Sequence, residues 1–306
     1  MNMALHATLL ENLKTRSLVF QYTRDFFNAQ GYLEVETPLR SPAIIPEGHI
    51  DPIMSEDCFL QASPELCMKR LLSMGAPKIF QICKCFRKGE RGKRHLPELT
   101  LLEWYAAGET YYDLMAQCAG LIRHISTGLG MDGALIYQNH TIQFDIPFEK
   151  LSVHQAFETY ADISADNALE TGQFDEIMSF QIEPRLGIDR PCILYDYPAP
   201  LAALAKSHLD PPTLAQRFEL YVAGIELANG FTELTNPEIQ RQRFKQENQT
   251  RTMNGRDALP LPEKFLDDLS RMPDAAGIAL GMDRLTMLFC NVATIDEVIA
   301  FAPEHL

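Results

Sequence analysis

The hydrophobic pattern changes period several times along the chain, and each change predicts an element. From about residue 7 to residue 30, Val19, Tyr22 and Phe26 fall three and four apart, the spacing of a helix, and Gly31 is a C-terminal stop. "YLEVETPL" then alternates as a strand that Pro38 ends. Residues 41–56, with Pro42, Pro46, Gly48 and Pro52, read as a loop. In "ASPELCMKRLLSMG" a helix is expected, with Ser63 as its N-cap, Pro64 at the first position, Glu65 on the positive helix start and Gly75 as the stop.

"KIFQICKCFR" and "ELTLLEWYAA" predict the two arms of a long hairpin. A helix follows over 111–130, then a hairpin in "ALIYQNHTIQFD" turning near Asn139. Ser152 caps a weaker helical stretch to about Phe180. "CILYDYP" and "RFELYVAGIELANGFTEL" return to strand. Asn236-Pro237-Glu238 starts a helix to about Met253, whose "QRQRFKQENQTR" run reads as a solvated face. "GIALGMDRLTMLFCNV" begins as a strand and becomes a helix at about Met282. No repeat or linker-like break interrupts the series, so one α+β domain over residues 1–306 is expected.

Composition narrows the function. The 306 residues are 46% hydrophobic and 22% charged, enough for a sizeable core. No run of ~18 apolar residues is present and the N-terminus has no long apolar stretch after a basic start, so a cytoplasmic protein without membrane contact is expected. Seven cysteines without a CxxC pair read as reduced thiols, and eight scattered histidines give no support to a transition-metal site.

The net charge is −14, which argues against wrapping a long polyanion. One stretch runs the other way. In "FQICKCFRKGERGKRHLPELTLLEWY", the segment from Lys84 to His95 sets Lys84, Arg87, Lys88, Arg91, Lys93 and Arg94 against one acid, Glu90. A basic loop of that size suits a small anion such as a nucleoside triphosphate.

Strand alternation places Leu101, Glu103 and Tyr105 on one face of the returning arm and Gln81, Cys83, Cys85 and Arg87 on one face of the outgoing arm. Together they would make a polar floor. Glu226 and Glu233 are seven apart, which in a straight strand puts them on opposite faces. Asn229-Gly230 is a turn or bulge signal that would bring the two carboxylates together as a Mg²⁺ site. Gly277 and Gly281 allow close approach to the backbone, and Arg284, one turn into the last helix, can grip a phosphate as a partner to Arg87.

"GYLEVETPL", "FRKGERGKRHLPELTLLEWY" and "GIALGMDRLTMLF" resemble, in order and spacing, motifs 1, 2 and 3 of the class II aminoacyl-tRNA synthetases, and "GIELANGFTEL" resembles the acidic strand of the lysyl branch. The likeness runs from about residue 10 to the C-terminus. It implies an antiparallel sheet flanked by helices, a homodimer formed through the first helix, and ATP with Mg²⁺. Carried over, Arg87 holds the α-phosphate and Arg284 the γ-phosphate. Lys88, Gly89, Glu90 and Leu96 lie in the nucleotide loop, and Glu226, Leu227 and Gly281 contact ATP. Ser63, Pro64, Glu65, Tyr105, Asn229, Glu233 and Ala279 contact the amino acid.

The sequence departs from the lysyl branch at Lys88-Gly89, at Leu96 and at Ala279, where that branch has Asn-Glu, Asn and Gly. An anticodon-binding OB domain of about 100 residues has no room before the first motif. That architecture resembles the ligases that attach (R)-β-lysine or lysine to a lysine of elongation factor P. It implies a protein acceptor and no tRNA. The alternative is a freestanding lysine-adenylating enzyme serving another acceptor.

Overall fold

The computed structural model describes residues 3–306. Helix α1 (Met3–Ala29) leads into strand β1 (Leu33–Glu34), and α2 (Glu65–Ser73) into the long hairpin β2 (Lys78–Phe86) and β3 (Glu98–Ala107). After α3 (Tyr111–Gly128) come β4 (Glu149–Ser152), α4 (Val153–Tyr160), β5 (Cys192–Pro198), β6 (Leu214–Val222) and β7 (Ile225–Thr232). Helix α5 (Pro237–Met253), strand β8 (Ala275–Gly281) and helix α6 (Met282–Phe289) follow. Among the described residues the largest sheet has eight strands, in the order β1-β2-β3-β8-β7-β6-β5-β4. Its six central strands are antiparallel, as expected, and the edge strands β1 and β4 join in parallel.

The period-2 pattern decides which face does what. Leu102, Trp104 and Ala106 of β3 point to a core shared with Val19 and Phe27 of α1, Leu114 and Leu121 of α3, and Leu285 and Leu288 of α6. Tyr105 points the other way, toward Met68 and Leu72 of α2 and Phe244 of α5. That second face is only partly closed, and it carries the polar floor. Arg16 of α1 ties the layers together. It pairs with Asp283 at 2.6 Å, and Asp283 accepts the Thr100 amide at 2.7 Å, so helix α1, strand β3 and helix α6 meet at one buried carboxylate.

Several expectations are corrected. "YLEVETPL" pairs only at Leu33–Glu34, because Val35 gives the last ladder bond to Phe80 before Pro38 removes a donor. The stretch after Ser152 breaks into Val153–Tyr160, Ala165–Glu170 and Phe174–Ile177, followed by a wider turn over Met178–Ile182. Ser63 does not cap α2 in the usual register. The cap position is Pro64, and the Ser63 hydroxyl accepts from the Glu65 amide and donates to Glu103. The polar run of α5 is not simply solvated, since Gln240 and Arg251 are buried and grip backbone carbonyls.

Asn229-Gly230 is not a turn. The β6–β7 reversal lies at Ala223-Gly224, both at positive φ, and Asn229 and Gly230 sit inside the strand opposite Ala279 and Ile278. Gly230 is small because its neighbours crowd it: an added Cβ would lie 2.8 Å from the Phe218 ring and 2.9 Å from Ile278. Gly230→Ala is therefore expected to lower stability by about 1–3 kcal/mol, read as a lower urea midpoint. An unchanged midpoint would mean the strands can part at no cost.

Candidate active site

One row of paired residues crosses five strands on the open face: Gln81, Glu103, Ala279, Asn229 and Glu219. The next row is Ile79, Tyr105, Gly277, Phe231 and Arg217. Glu103 is fully buried at the centre of the floor. It accepts from Ser63 at 2.6 Å and from the Tyr105 hydroxyl at 2.8 Å. Burial, with the charge of Glu65, raises its carboxyl to about 8, against the pull of those two hydrogen bonds and Arg87.

Beside it lies a buried triad that the motif reading missed. The Lys69 ammonium, 1% exposed, is held between Glu65 and Glu233 and rests 5.1 Å above the Phe231 ring. Burial alone would lower the Lys69 pKa, but the two carboxylates outweigh it and hold the ammonium charged. Glu65 and Lys69 lie four apart on α2, a spacing that carried this signal in the sequence. Gly277 is required here because an added Cβ would fall 2.2 Å from the Tyr105 ring and 2.3 Å from Glu233. Its space is taken by protein, not left for a ligand.

The other end of the cavity is cationic. Arg87 follows directly on β2 and lines it with Glu90, 3.8 Å away, and the Arg87 Nε is buried without a hydrogen-bond partner. Arg284 donates to the Glu226 carbonyl at 2.8 Å and to His95 Nε2 at 2.6 Å. Burial and the arginine both lower the His95 pKa, so the ring is neutral and accepts. An added Cβ at Gly281 would lie 3.7 Å from the Arg284 stem, an ordinary contact, so the arginine does not require the glycine. Much of the loop's positive charge is spent internally: Arg91 pairs with Asp296 and Glu304, and Arg94 bonds the Gly224 carbonyl.

Glu226 reaches this end through a bulge. Leu220 pairs with Ala228 but Tyr221 with Glu226, so Leu227 is an extra residue that returns Glu226 to the floor side. The bulge puts Glu226 and Glu233 on one face, at Leu227 instead of Asn229-Gly230. It does not bring them together. Seven residues of strand separate them by about 20 Å, and Glu233 is engaged by Lys69, so they cannot share one ion. Nearer Glu226 is Glu219, which accepts from Tyr197, Tyr221 and Arg217, each at 2.6 Å. Among the described residues no three metal-ligating side chains cluster.

The cavity thus gathers Ser63, Glu65, Arg87, Glu90, Leu96, Tyr105, Glu226, Leu227, Asn229, Ala279, Gly281 and Arg284 of the expected residues. Pro64, Lys88, Gly89 and Glu233 do not line it. Leu96 also packs with Met287 and Ile295, so it offers apolar surface only. Asn229 accepts from Arg217 at 3.1 Å.

Residues 1–305 match the class II tRNA synthetases of the D, K and N type. The chain belongs to that family. Two curated relatives are both named "Elongation factor P--(R)-beta-lysine ligase", one from Enterobacter sp. (strain 638) and one from Salmonella gallinarum (strain 287/91 / NCTC 13346). Each is 36% identical over 314 residues, covering 97% of this chain and 96% of the relative. This class II protein is accordingly an enzyme of the ligase kind, with a catalytic fold of mixed α+β type. No described helix is long and apolar enough to cross a membrane.

A cation bound against Glu103 would need that carboxyl ionised, and its pKa is raised to about 8. Affinity for a cationic amino acid should therefore fall about tenfold per unit as pH drops below 8 and level off above it. Calorimetric titration across that range checks this, and Glu103→Gln should flatten the profile. A pH-independent wild type would remove Glu103 from the ammonium site.

Proposed function

We propose that this enzyme adenylates (R)-β-lysine or lysine with ATP and transfers it to a lysine side chain of elongation factor P. The observation that carries the reading is the charge segregation within one cavity. Carboxylates of Glu65 and Glu103 line one end, and Arg87 and Arg284 line the other. A cationic amino acid satisfies the first end and a nucleoside triphosphate the second. The names of the two relatives supply the acceptor.

In this reading the substrate ammonium lies over Ser63, Glu65, Glu103 and Tyr105, with Glu233 setting the charge of the floor through Lys69. Its carboxylate then points at the α-phosphate beside Arg87. In-line attack forms the acyl–phosphate bond and releases pyrophosphate, and no base is needed because the carboxylate is already ionised. The arginines stabilise charge that grows on the phosphates. The unpartnered Arg87 Nε fits such an anion. Magnesium would be held by Glu226 together with phosphate oxygens, and would neutralise part of the triphosphate charge.

Ala279 stands between Glu103 and Asn229 in the floor row, so its methyl occupies space beside the substrate's amino groups. Exposed Leu10, Leu18, Leu33 and Leu39, on α1 and the segment after it, support a homodimer through this helix.

ATP–pyrophosphate exchange stimulated by lysine or (R)-β-lysine tests the proposal. Exchange is expected with at least one of them and should fall at least about 100-fold in Arg284→Ala. Folded protein that exchanges with neither amino acid would end the lysine reading. Ala279→Gly should move the ratio of specificity constants toward α-lysine by roughly 10-fold or more. A ratio that does not move would make Ala279 a packing residue.

A further inference from the structure

The cavity described above meets a second one along a wall formed by Glu47, Leu204, Asn229 and Phe231. The second cavity, about 620 Å³, is also lined by Asp175, Glu183, Glu219, Glu247 and Arg217. Of the shared residues only Glu47 can take a proton.

Its position is fixed from behind. The Arg251 guanidinium donates to the carbonyls of Glu47 at 2.8 Å and Ile50 at 2.6 Å, Arg256 donates to the Gly48 carbonyl at 2.9 Å, and the Gly48 amide donates to Glu247 at 2.8 Å. The loop read from sequence as irregular is thus stapled to α5 and its C-terminal end. The Glu47 side chain is not stapled. Among the described residues no hydrogen bond or salt bridge engages its carboxylate.

Its place in both cavity walls sets it beside the reaction. It lines the first cavity together with Arg87 and Glu65, and the second together with Glu247 and Arg217. Arg87 is assigned to the α-phosphate and Glu65 to the amino acid. In the proposed function the acyl–phosphate bond of the adenylate lies between those two groups, so it forms in the cavity whose wall includes Glu47. Resting on the function proposed above, we infer that Glu47 is the general base of the transfer step and that the acceptor lysine enters through the second cavity.

The step balances as follows. The acceptor ammonium gives one proton to the Glu47 carboxylate and becomes a free amine. Its lone pair forms the C–N bond at the acyl carbon. The C–O bond to phosphate breaks and its electron pair leaves on AMP, whose phosphate takes the second proton from nitrogen. Burial raises the Glu47 carboxyl to about 7, opposed by Arg87 and Arg217 and reinforced by Glu65 and Glu247. A base of that strength is ionised at and above neutral pH and can still accept a proton from an amine held close to it.

The test compares two acceptors on the same adenylate. Hydroxylamine is a free base at neutral pH and needs no proton removed before it attacks; the lysine of elongation factor P is an ammonium and does. In Glu47→Gln, single-turnover transfer to the protein lysine is expected to fall about 100-fold or more, while hydroxamate formation falls far less. Glu47→Asp should recover part of the transfer rate. In wild type the transfer rate should rise with pH through about 7, and Glu47→Gln should lose that inflection. An equal fall with both acceptors, or a higher KM for the amino acid with no change in transfer, would overturn the assignment. So would an unaffected transfer rate. Wild type that makes no hydroxamate with lysine or (R)-β-lysine would instead defeat the proposed function, which keeps the two failures apart.

Discussion

Burying charge is the constraint on which this site depends. Glu65 of α2 packs over the sheet floor that holds Glu103 and Glu233, and each of the three is 8% exposed or less. Unpaired, each buried carboxylate would cost several kcal/mol. Lys69 between Glu65 and Glu233, and the Ser63 and Tyr105 hydroxyls on Glu103, offset that cost without cancelling it. The residual shows as a Glu103 carboxyl raised to about 8. In the proposed function a cationic substrate would complete the arrangement, because its ammonium would supply the charge that the protein holds short.

The same constraint shapes the opposite end. Arg284 is held by the Glu226 carbonyl, by the Glu226 carboxylate at 3.3 Å and by a neutral imidazole, partners that fix its direction along the cavity wall. Arg87 keeps one N–H buried without a partner. Arg91 and Arg94, by contrast, are committed to acids and a carbonyl of the protein itself. The basic loop on an acidic chain is therefore a strap fastened by Arg91 and Arg94, and it carries Arg87, which the proposed function pairs with Arg284 of α6 as a phosphate grip.

Most of the fold was legible in the sequence because its strands obey period 2 and its turns use residues suited to positive φ. The split of β3 into Trp104 inside and Glu103 on the floor follows directly from alternation. What was not legible came from contacts distant in the chain. Gly230 reads as a turn residue, yet it is small because Phe218 and Ile278 crowd it. The bulge at Leu227 has no local signature, and without it Glu226 would face the core. Lys69 looks like a solvated helix residue until Glu233, far along the chain, closes over it. Glu47 lies in a loop without pattern, and only the arginines of and beyond α5 reveal that the loop is fixed.

The central claim is that a class II synthetase fold here joins a lysine-type amino acid to a protein amine. Intact-mass spectrometry of elongation factor P, incubated with this enzyme, ATP, magnesium and (R)-β-lysine or lysine, tests it most directly. The account predicts a gain of one lysyl residue on a single lysine, stable to mild alkali as an amide is. An unmodified elongation factor P beside alkali-labile label on tRNA would contradict it.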